Sequence, residues 1–597
     1  MKPGSTDSAA PQPLGSVTFA FLSILVGIVA GLGAVVFRAM IAIFHNLFFL
    51  GQFSLVYDTN SHTPDGPWGP AVILVPVLGA ALVAYLVKNY APEAKGHGVP
   101  EVMDAIYYNR GRIRPIVAAA KSLASAISIG SGGSVGREGP IIQIGSSFGS
   151  TLGQIIRMPH WQRIVLIAGG AGGGIAATFN TPVGGILFAI EIMMNEISVR
   201  TLVPVAISTA TATYIGRLIF GPTPSFVIPR FETPFFHVTE PLVLLSYVGL
   251  GLLMGLVSAV FIRSIYAFED FFENRIGGSY YRRHLLGMLI VGIMIYVTAK
   301  FYGHYFIQGV GYGTIQDVLS GVQYSVALLL LLAILKLVAT SLTLGSGASG
   351  GIFSPALFLG ATVGGAYGLL LDQLFPSFSI SAPAFAVAGM AAAVGGATGA
   401  AVTAIVMIFE MTLDYNVIIP MTITVAIAYG VRKVLCEESI YTLKNVRRGH
   451  PMPEALHTNL HFLRRAFRIM ESNFGRVDAK TSLDDFAKLV VRKPDIGLYL
   501  VIHDHSIFGV VPREAAIGAL NHVGEHLTLR DIARTDFVVV DKNCRVHRVI
   551  SDMRIQGASI ALVKRADADD EAESIVGMIT KAQISDAVAE SVALIAV

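Results

Sequence analysis

Glu138 sits in Gly136-Arg137-Glu138-Gly139-Pro140, a polar interruption in a long apolar stretch. Two other segments share its type: Gly96-His97-Gly98-Val99-Pro100 and Gly351-Ile352-Phe353-Ser354-Pro355. Glycine-rich runs of this kind end where helices begin. A helix start presents unpaired backbone N–H groups and about half a positive charge, which makes an anion site without a basic side chain. Glycine lets an ion approach the backbone closely, and Pro140 and Pro355 suit a first helical turn. A carboxylate at such a start carries the charge of the expected ligand, so Glu138 can fill the anion position itself and leave it when protonated. That links anion occupancy to protons through one side chain. Taken singly, each segment could hold mere packing glycines, and Glu138 could be a structural partner of Arg137 or Lys121. Ionisable groups at membrane depth favour the functional reading.

A repeat ties two of the segments together. Lys121 to Pro140 reads KSLASAISIGSGGSVGREGP and Lys336 to Pro355 reads KLVATSLTLGSGASGGIFSP, an offset of 215 residues without a gap. Gly145 then pairs with Gly360 and Gly149 with Gly364. Further on, 168–191 parallels 388–410 with a one-residue slip, and Glu191 and Glu410 close the two copies. Duplicated membrane units with breaks at matching places indicate a transporter whose site lies where the broken helices meet.

The elements that must carry these segments are apolar. Of 597 residues, 53% are hydrophobic and only 14% charged, against roughly a quarter charged in soluble chains. Clear spanning candidates are 17–50, 70–87, 162–178, 199–220, 241–265, 284–300, 321–344 and 416–436. Shorter pieces broken by Gly and Pro are 98–108, 113–129, 138–158, 181–195, 352–371, 383–398 and 400–413. Such breaks survive at membrane depth only where protein or a wet cavity satisfies the backbone, so a plain bundle of straight helices is not expected. The run Val17 to Val36 is long enough to span and lacks a secretory signal's short core and cleavage site, so it reads as a retained first helix. The net charge of +3 gives no reason to expect a nucleic-acid partner. Cys436 and Cys544 are the only cysteines, too few for a disulfide framework or a Cys-based metal site.

The expected organisation is a disordered tail over 1–14, a membrane domain over 15–445 with repeats at about 15–220 and 240–445, and a soluble domain over 446–597. Lys444, Arg447 and Arg448 form a basic knot beside the last apolar helix, which places that end and everything after it on the cytoplasmic side. Strand candidates at 498–502, 507–511, 537–540, 559–563 and 575–579 alternate with helical stretches, as in two βαβ-like units. GVVPREAAIGAL (509–520) and GMITKAQISDAV (577–588) occupy corresponding places in the two units.

On GSGGSVGREGP (130–140), GGIFSP (350–355) and GHGVP (96–100), the chain resembles the CLC chloride channels and proton-coupled chloride antiporters over roughly residues 15–445. The tail resembles the CBS-domain pairs that many members carry. The resemblance implies an all-α polytopic membrane domain of two inverted repeats with broken helices, followed by an α/β CBS-pair cytoplasmic domain. It also implies a homodimer in a lipid membrane, with one chloride and proton pathway per subunit. Carried onto this sequence, it makes Glu138 the external gating glutamate, with Gly98, Gly136, Arg137 and Gly139 around the anion. The backbone amides of Ile352 and Phe353 would face the central anion, and Tyr441, in SIYTLKN (439–445), would offer its hydroxyl from the last helix.

Two departures bear on function. His97 stands where relatives have Ser, or Pro in nitrate-preferring members; an imidazole adds a hydrogen-bond donor and opens the way to another or larger anion. Coupled relatives have two adjacent glutamates where this chain has Glu191 and Ile192. Glu191 remains a proton-route candidate with a structural alternative, and Ile192 points toward passive conduction. Glu138 tips the reading toward proton-linked exchange. No cofactor is required. CBS domains bind adenine nucleotides with Ser or Thr and a nearby Asp; here Thr580 is followed by Gln583, and Pro512 takes the Ser/Thr place in the first unit, which favours a structural and dimerising tail. Two rivals are weaker. Gly347-Ala348-Ser349-Gly350 has the look of an intramembrane serine protease motif, which needs a His base near Ser349; the repeat explains it better, with Ser134 as counterpart. A divalent-cation transporter would need oxygen ligands, where these segments offer helix N-termini and one carboxylate.

Overall fold

Among the described residues of the computed structural model, eight helices are long and apolar enough to cross a membrane. The structure describes residues 13–194, 198–223, 225–226, 241–378, 380–452, 465–504, 506–514, 527–544, 546–566, 569 and 571–586. Nearly all of the expected N-terminal tail, and 515–520 and 587–588 of the two tail motifs, lie outside them. The chain divides into two compact units, Met1–Pro453 and Glu454–Val597.

The first unit is helical. Its first half runs α1 (Ser16–His45), α2 (Val75–Tyr90), α3 (Val99–Tyr107), α4 (Pro115–Gly130), α5 (Glu138–Ile155), α6 (His160–Phe179), α7 (Pro182–Phe188) and α8 (Val199–Phe220). The second half runs α9 (Pro241–Asn274), α10 (Tyr280–Tyr302), α11 (Tyr312–Leu319), α12 (Val326–Ser346), α13 (Phe353–Leu374), α14 (Ala382–Thr398), α15 (Ala401–Thr412), α16 (Ile418–Leu435) and α17 (Thr442–Arg447). The expected short pieces become α3, α4, α5, α7, α14 and α15. Two expectations about length are corrected. The piece 352–371 extends into the 22-residue α13, one of the eight spanning-length helices. Residues 162–178 fall in α6, which is not among them: its first turn, His160-Trp161-Gln162-Arg163, is polar.

Burial sorts these helices. The apolar window of α13 is 78% buried, that of α10 only 33%. A helix that is apolar all round and only a third covered by protein needs an apolar solvent on its other face, and lipid supplies one. α13 is enclosed by protein, as a helix that carries a site must be.

Across the repeat, partners bond reciprocally. Gly136 N–H donates to the Gly351 carbonyl at 2.7 Å, and Gly351 N–H donates back to Gly136 at 2.6 Å. Ser125 pairs with Ser349 at 2.8 Å, and Ser134 with Thr340 at 3.3 Å. Each of these residues has its counterpart 215 positions away, so the two halves meet face to face about an approximate two-fold relation. Ser349 also donates to the Ala94 carbonyl at 2.7 Å. Its oxygen is thus committed to backbone and serine, with no histidine among those partners, which removes support from the protease rival.

The first unit reaches eight residues past the expected boundary at 445. Asn445 donates to the Pro100 carbonyl at 3.2 Å, and His450 bonds Asp104 at 2.5 Å. These bonds fasten α17 and the segment after it to α3. The basic knot is likewise paired: Lys444 and Arg448 each reach Glu101 at 3.0 Å, and Arg447 bonds Asp270.

Among its described residues the second unit holds two sheets of one plan: β1 (Gly475–Asp478), β2 (Leu498–His503), β3 (Ser506–Pro512), then β4 (Phe537–Asp541), β5 (Ile560–Lys564), β6 (Ile575–Thr580). In each, the first strand pairs parallel and the third antiparallel to the middle one. Helices Leu483–Arg492 and Val546–Ile555 join the parallel strands. All five expected strands are present. β1, the sixth, escaped the sequence reading because Gly-Arg-Val-Asp carries one apolar residue in four.

Candidate functional site

Four broken segments converge. Gly96 N–H donates to the Ala348 carbonyl at 2.9 Å, and Gly350 N–H returns to Gly96 at 3.3 Å. Together with the Gly136–Gly351 pair, these bonds bring the starts of α3, α5 and α13 to one place. Gly139 has room for nothing larger, because a Cβ there would overlap the His97 carbonyl oxygen.

The fourth segment is Gly309-Val310-Gly311-Tyr312, at the start of α11. Two buried lysines reveal it as the counterpart of Gly96-His97-Gly98-Val99. Lys121 donates to the carbonyls of Ala94, at 2.9 Å, and Gly96. Its repeat partner Lys336 donates to Ile307 at 3.1 Å and Gly309 at 2.7 Å. Gly98 and Gly311 share the positive φ of +85° and +78° that L side chains resist. The sequence signal was an offset of 213 residues, masked because the second copy lacks the proline.

Glu138, 2% exposed, is the first residue of α5. Its carboxylate lies at the N-terminus of α13. Ser354 N–H reaches Oε2 at 3.4 Å, the Ser354 hydroxyl bonds Oε1, and the Tyr312 hydroxyl reaches Oε1 at 3.1 Å. A carboxylate therefore occupies the position where helix geometry invites an anion. Gly136 makes way for it: a Cβ there would collide with Oε2. Ile352 is the N-cap of α13 and Phe353 its first residue, so both amides belong to the end that has no intrahelical acceptor. Arg137, 6% exposed, stacks its guanidinium over Tyr312 and Phe179, 5.2 Å and 5.7 Å from the ring centroids. It also lines a cavity of about 200 Å³ with Arg38, Arg217, Asp58 and Asn180.

His97 is 3% exposed, its ring centroid 6.3 Å from those of Tyr441 and Tyr266, and its Nδ1 is buried without a hydrogen-bond partner. An unsatisfied buried ring nitrogen next to Tyr441 is open to a ligand. Tyr441 is the N-cap of α17 rather than a residue within it.

Glu191 takes a different place. It lies in a π-turn, Ala189–Met194, that extends α7. Its carboxylate accepts from Val402 N–H at 3.3 Å, Thr403 N–H at 2.8 Å and the Thr403 hydroxyl at 2.6 Å. Glu410 does the same in reverse, accepting from Val183 N–H at 3.1 Å and Gly184 N–H at 2.7 Å. Each half thus caps a helix start of the other, α15 and α7. This favours the structural alternative for Glu191. Glu191→Gln and Glu410→Gln should each lower stability by about 1–2 kcal/mol, the scale of a lost cap, with anion–proton coupling unchanged; a melting curve in detergent beside a coupled-flux assay decides, and a selective loss of proton movement in Glu191→Gln would return that residue to the proton route. Ile192 is buried at 6% exposure.

In the second unit, Gln583 accepts from Thr580 N–H at 2.8 Å and from the Thr580 hydroxyl. The hydroxyl expected to meet a nucleotide is engaged in this local turn.

The voltage gated chloride channel family matches residues 79–433. The chain is 32% identical over 460 residues to the H(+)/Cl(-) exchange transporter ClcA of Vibrio campbellii, covering 74% of this chain and 93% of that protein. It is 34% identical over 405 residues to ClcA of Vibrio parahaemolyticus, covering 64% and 82%. Among solved structures, a slow cyanobacterial Cl-/H+ antiporter aligns at a TM-score of 0.62 and 25% identity, over 72% of this chain and 97% of that one. A eukaryotic CLC transporter aligns at 0.59 and 21%, over 95% and 98%, a likeness of fold. Broken helices whose starts meet inside an apolar helical unit define a membrane protein of the transporter class. The chain belongs to the voltage gated chloride channel (CLC) family, and its relatives named above are an exchange transporter, an antiporter and a CLC transporter.

Proposed function

We propose that this protein exchanges chloride-type anions for protons across a membrane, with Glu138 as the group shared by both. The observation that carries this reading is the Glu138 carboxylate at the α13 N-terminus, where an anion competes with it for the same donors. Protonation frees the site for the anion; deprotonation lets the carboxylate return. His97, Gly98, Ile352, Phe353 and Tyr441 form the inner part of the path, and Gly136, Arg137 and Gly139 the outer part. The exchange named for the Vibrio ClcA relatives and the cyanobacterial antiporter agrees with this assignment.

The same reading includes inverted repeats, a homodimer and a cytoplasmic second unit that is a CBS-domain pair. Supporting it are the two-fold cross-repeat bonds, the twice-used plan of one parallel and one antiparallel neighbour per middle strand, and the fold likeness that extends over the tail. With Gln583 holding Thr580, the tail serves assembly rather than nucleotide binding.

The test is simultaneous anion and pH recording in proteoliposomes with an outward chloride gradient. Protons driven against their own gradient by chloride are the expected result. Chloride flux without proton movement would make the protein a passive conductor, as Ile192 allows. Absent chloride flux would direct attention to His97 and to nitrate, fluoride and organic sulfonates as substrates.

A further inference from the structure

The two halves contribute unequally to the site. Glu138 has Phe353 as its counterpart at offset 215, Ser354 has Gly139, and Tyr312 has Val99 at offset 213. The first half therefore supplies a carboxylate that the second lacks, and the second supplies two hydroxyls that the first lacks. All three groups are at most 2% exposed, and they touch: Tyr312 Oη lies 2.7 Å from Ser354 Oγ and 3.1 Å from Glu138 Oε1.

We propose that Tyr312 is a positioning residue for Glu138: with Ser354 it latches the ionised carboxylate at the α13 N-terminus, and once the carboxylate is protonated and withdrawn the same two hydroxyls become donors to the incoming anion. This rests on the assignment of Glu138 as the gate. An ionised carboxylate only accepts, so both hydroxyl protons are available to it. Tyr312 is held firmly enough for the task. Lys336 grips the loop before it, the Phe226 ring packs edge-on at 5.1 Å, and the Arg137 guanidinium covers its face at 5.2 Å. When the carboxylate leaves, Tyr312 Oη, Ser354 Oγ and Ser354 N–H face the vacated place. Two hydroxyls and an amide suit a compact, charge-dense anion such as chloride or fluoride better than a diffuse one such as thiocyanate, which gains less from each strong donor.

Tyr312→Phe keeps the ring and removes one hydroxyl; Ser354→Ala removes the other. Full-length protein in proteoliposomes is measured for chloride flux against pH, and for chloride-over-thiocyanate preference. In Tyr312→Phe, the midpoint of acid activation should rise by about one pH unit, a tenfold weaker hold on the ionised form, and the preference should fall about tenfold. Ser354→Ala should shift both in the same direction. In a Glu138→Gln background, Tyr312→Phe should no longer move any pH midpoint, yet should still reduce the preference. A purely structural Tyr312 would lower yield or flux at every pH and leave midpoint and preference in place. An unmoved midpoint in both Tyr312→Phe and Ser354→Ala, with Glu138→Gln uncoupled, overturns the latch alone. Proton movement that survives Glu138→Gln overturns the gate beneath it, whatever Tyr312 does.

Discussion

Glu138→Gln is expected to abolish chloride-driven proton movement while anion flux continues and loses its pH dependence. The substitution keeps the shape of the side chain and removes its ability to ionise. In the structure the carboxylate takes bonds from Ser354 N–H, the Ser354 hydroxyl and the Tyr312 hydroxyl. Hydrogen bonds to a charged group contribute about 1.5–3 kcal/mol, against about 1 for neutral pairs. A neutral amide therefore competes with the anion less well, by roughly tenfold for each 1.4 kcal/mol lost. Anion occupancy should rise as proton transport disappears. Glu138→Ala should behave alike, with the site vacated outright. Coupled proton uptake persisting in either variant would assign the gate elsewhere.

The second large effect is expected from Gly139→Ala. Its Cβ would overlap the His97 carbonyl oxygen and lie 3.4 Å from the Gly351 Cα. Both neighbours are backbone of other broken segments, so neither can move aside as a side-chain tip could. Overpacking of this kind costs about 1–3 kcal/mol where a core can relax; at a junction of three segments the upper end is expected. Melting in detergent should fall by several degrees and transport should be lost. Gly430→Ala is the control: nothing lies within 4 Å of its Cβ in mid-helix α16, and helix propensity alone predicts a gain of about 1 kcal/mol. Equal behaviour of the two variants would mean that the junction tolerates separation of its segments.

Glycine and proline made most of the site legible. Gly136, Gly139 and Gly351 stand where a Cβ cannot, so a backbone requirement is written directly in residue type. The gap-free offset of 215 exposed the repeat, and Glu138 stood out as a charge in an apolar run. Tyr312 did not, because a tyrosine at the start of a short helix resembles any core aromatic until folding sets it beside Glu138, 174 residues away. The same holds for Glu191 and Glu410. Their mirror relation was readable, but that each caps the other's half depends on contacts 211 to 227 residues apart. The sheets of the second unit were visible through apolar alternation, and β1 was hidden by its polar composition.

The crossed caps also bear on how the chain is made. When Gly184 of α7 is added to the chain, the carboxylate that must close the N-terminus of that helix is still 226 residues from being synthesised. At 5–20 residues per second, that is a wait of about 11–45 s. Meanwhile Glu191 waits as the cap of a helix, α15, that does not yet exist. The first half is therefore unfinished, and exposed to degradation, until the second arrives. The two halves expressed as separate polypeptides should accumulate only together, each acting as the other's last folding step.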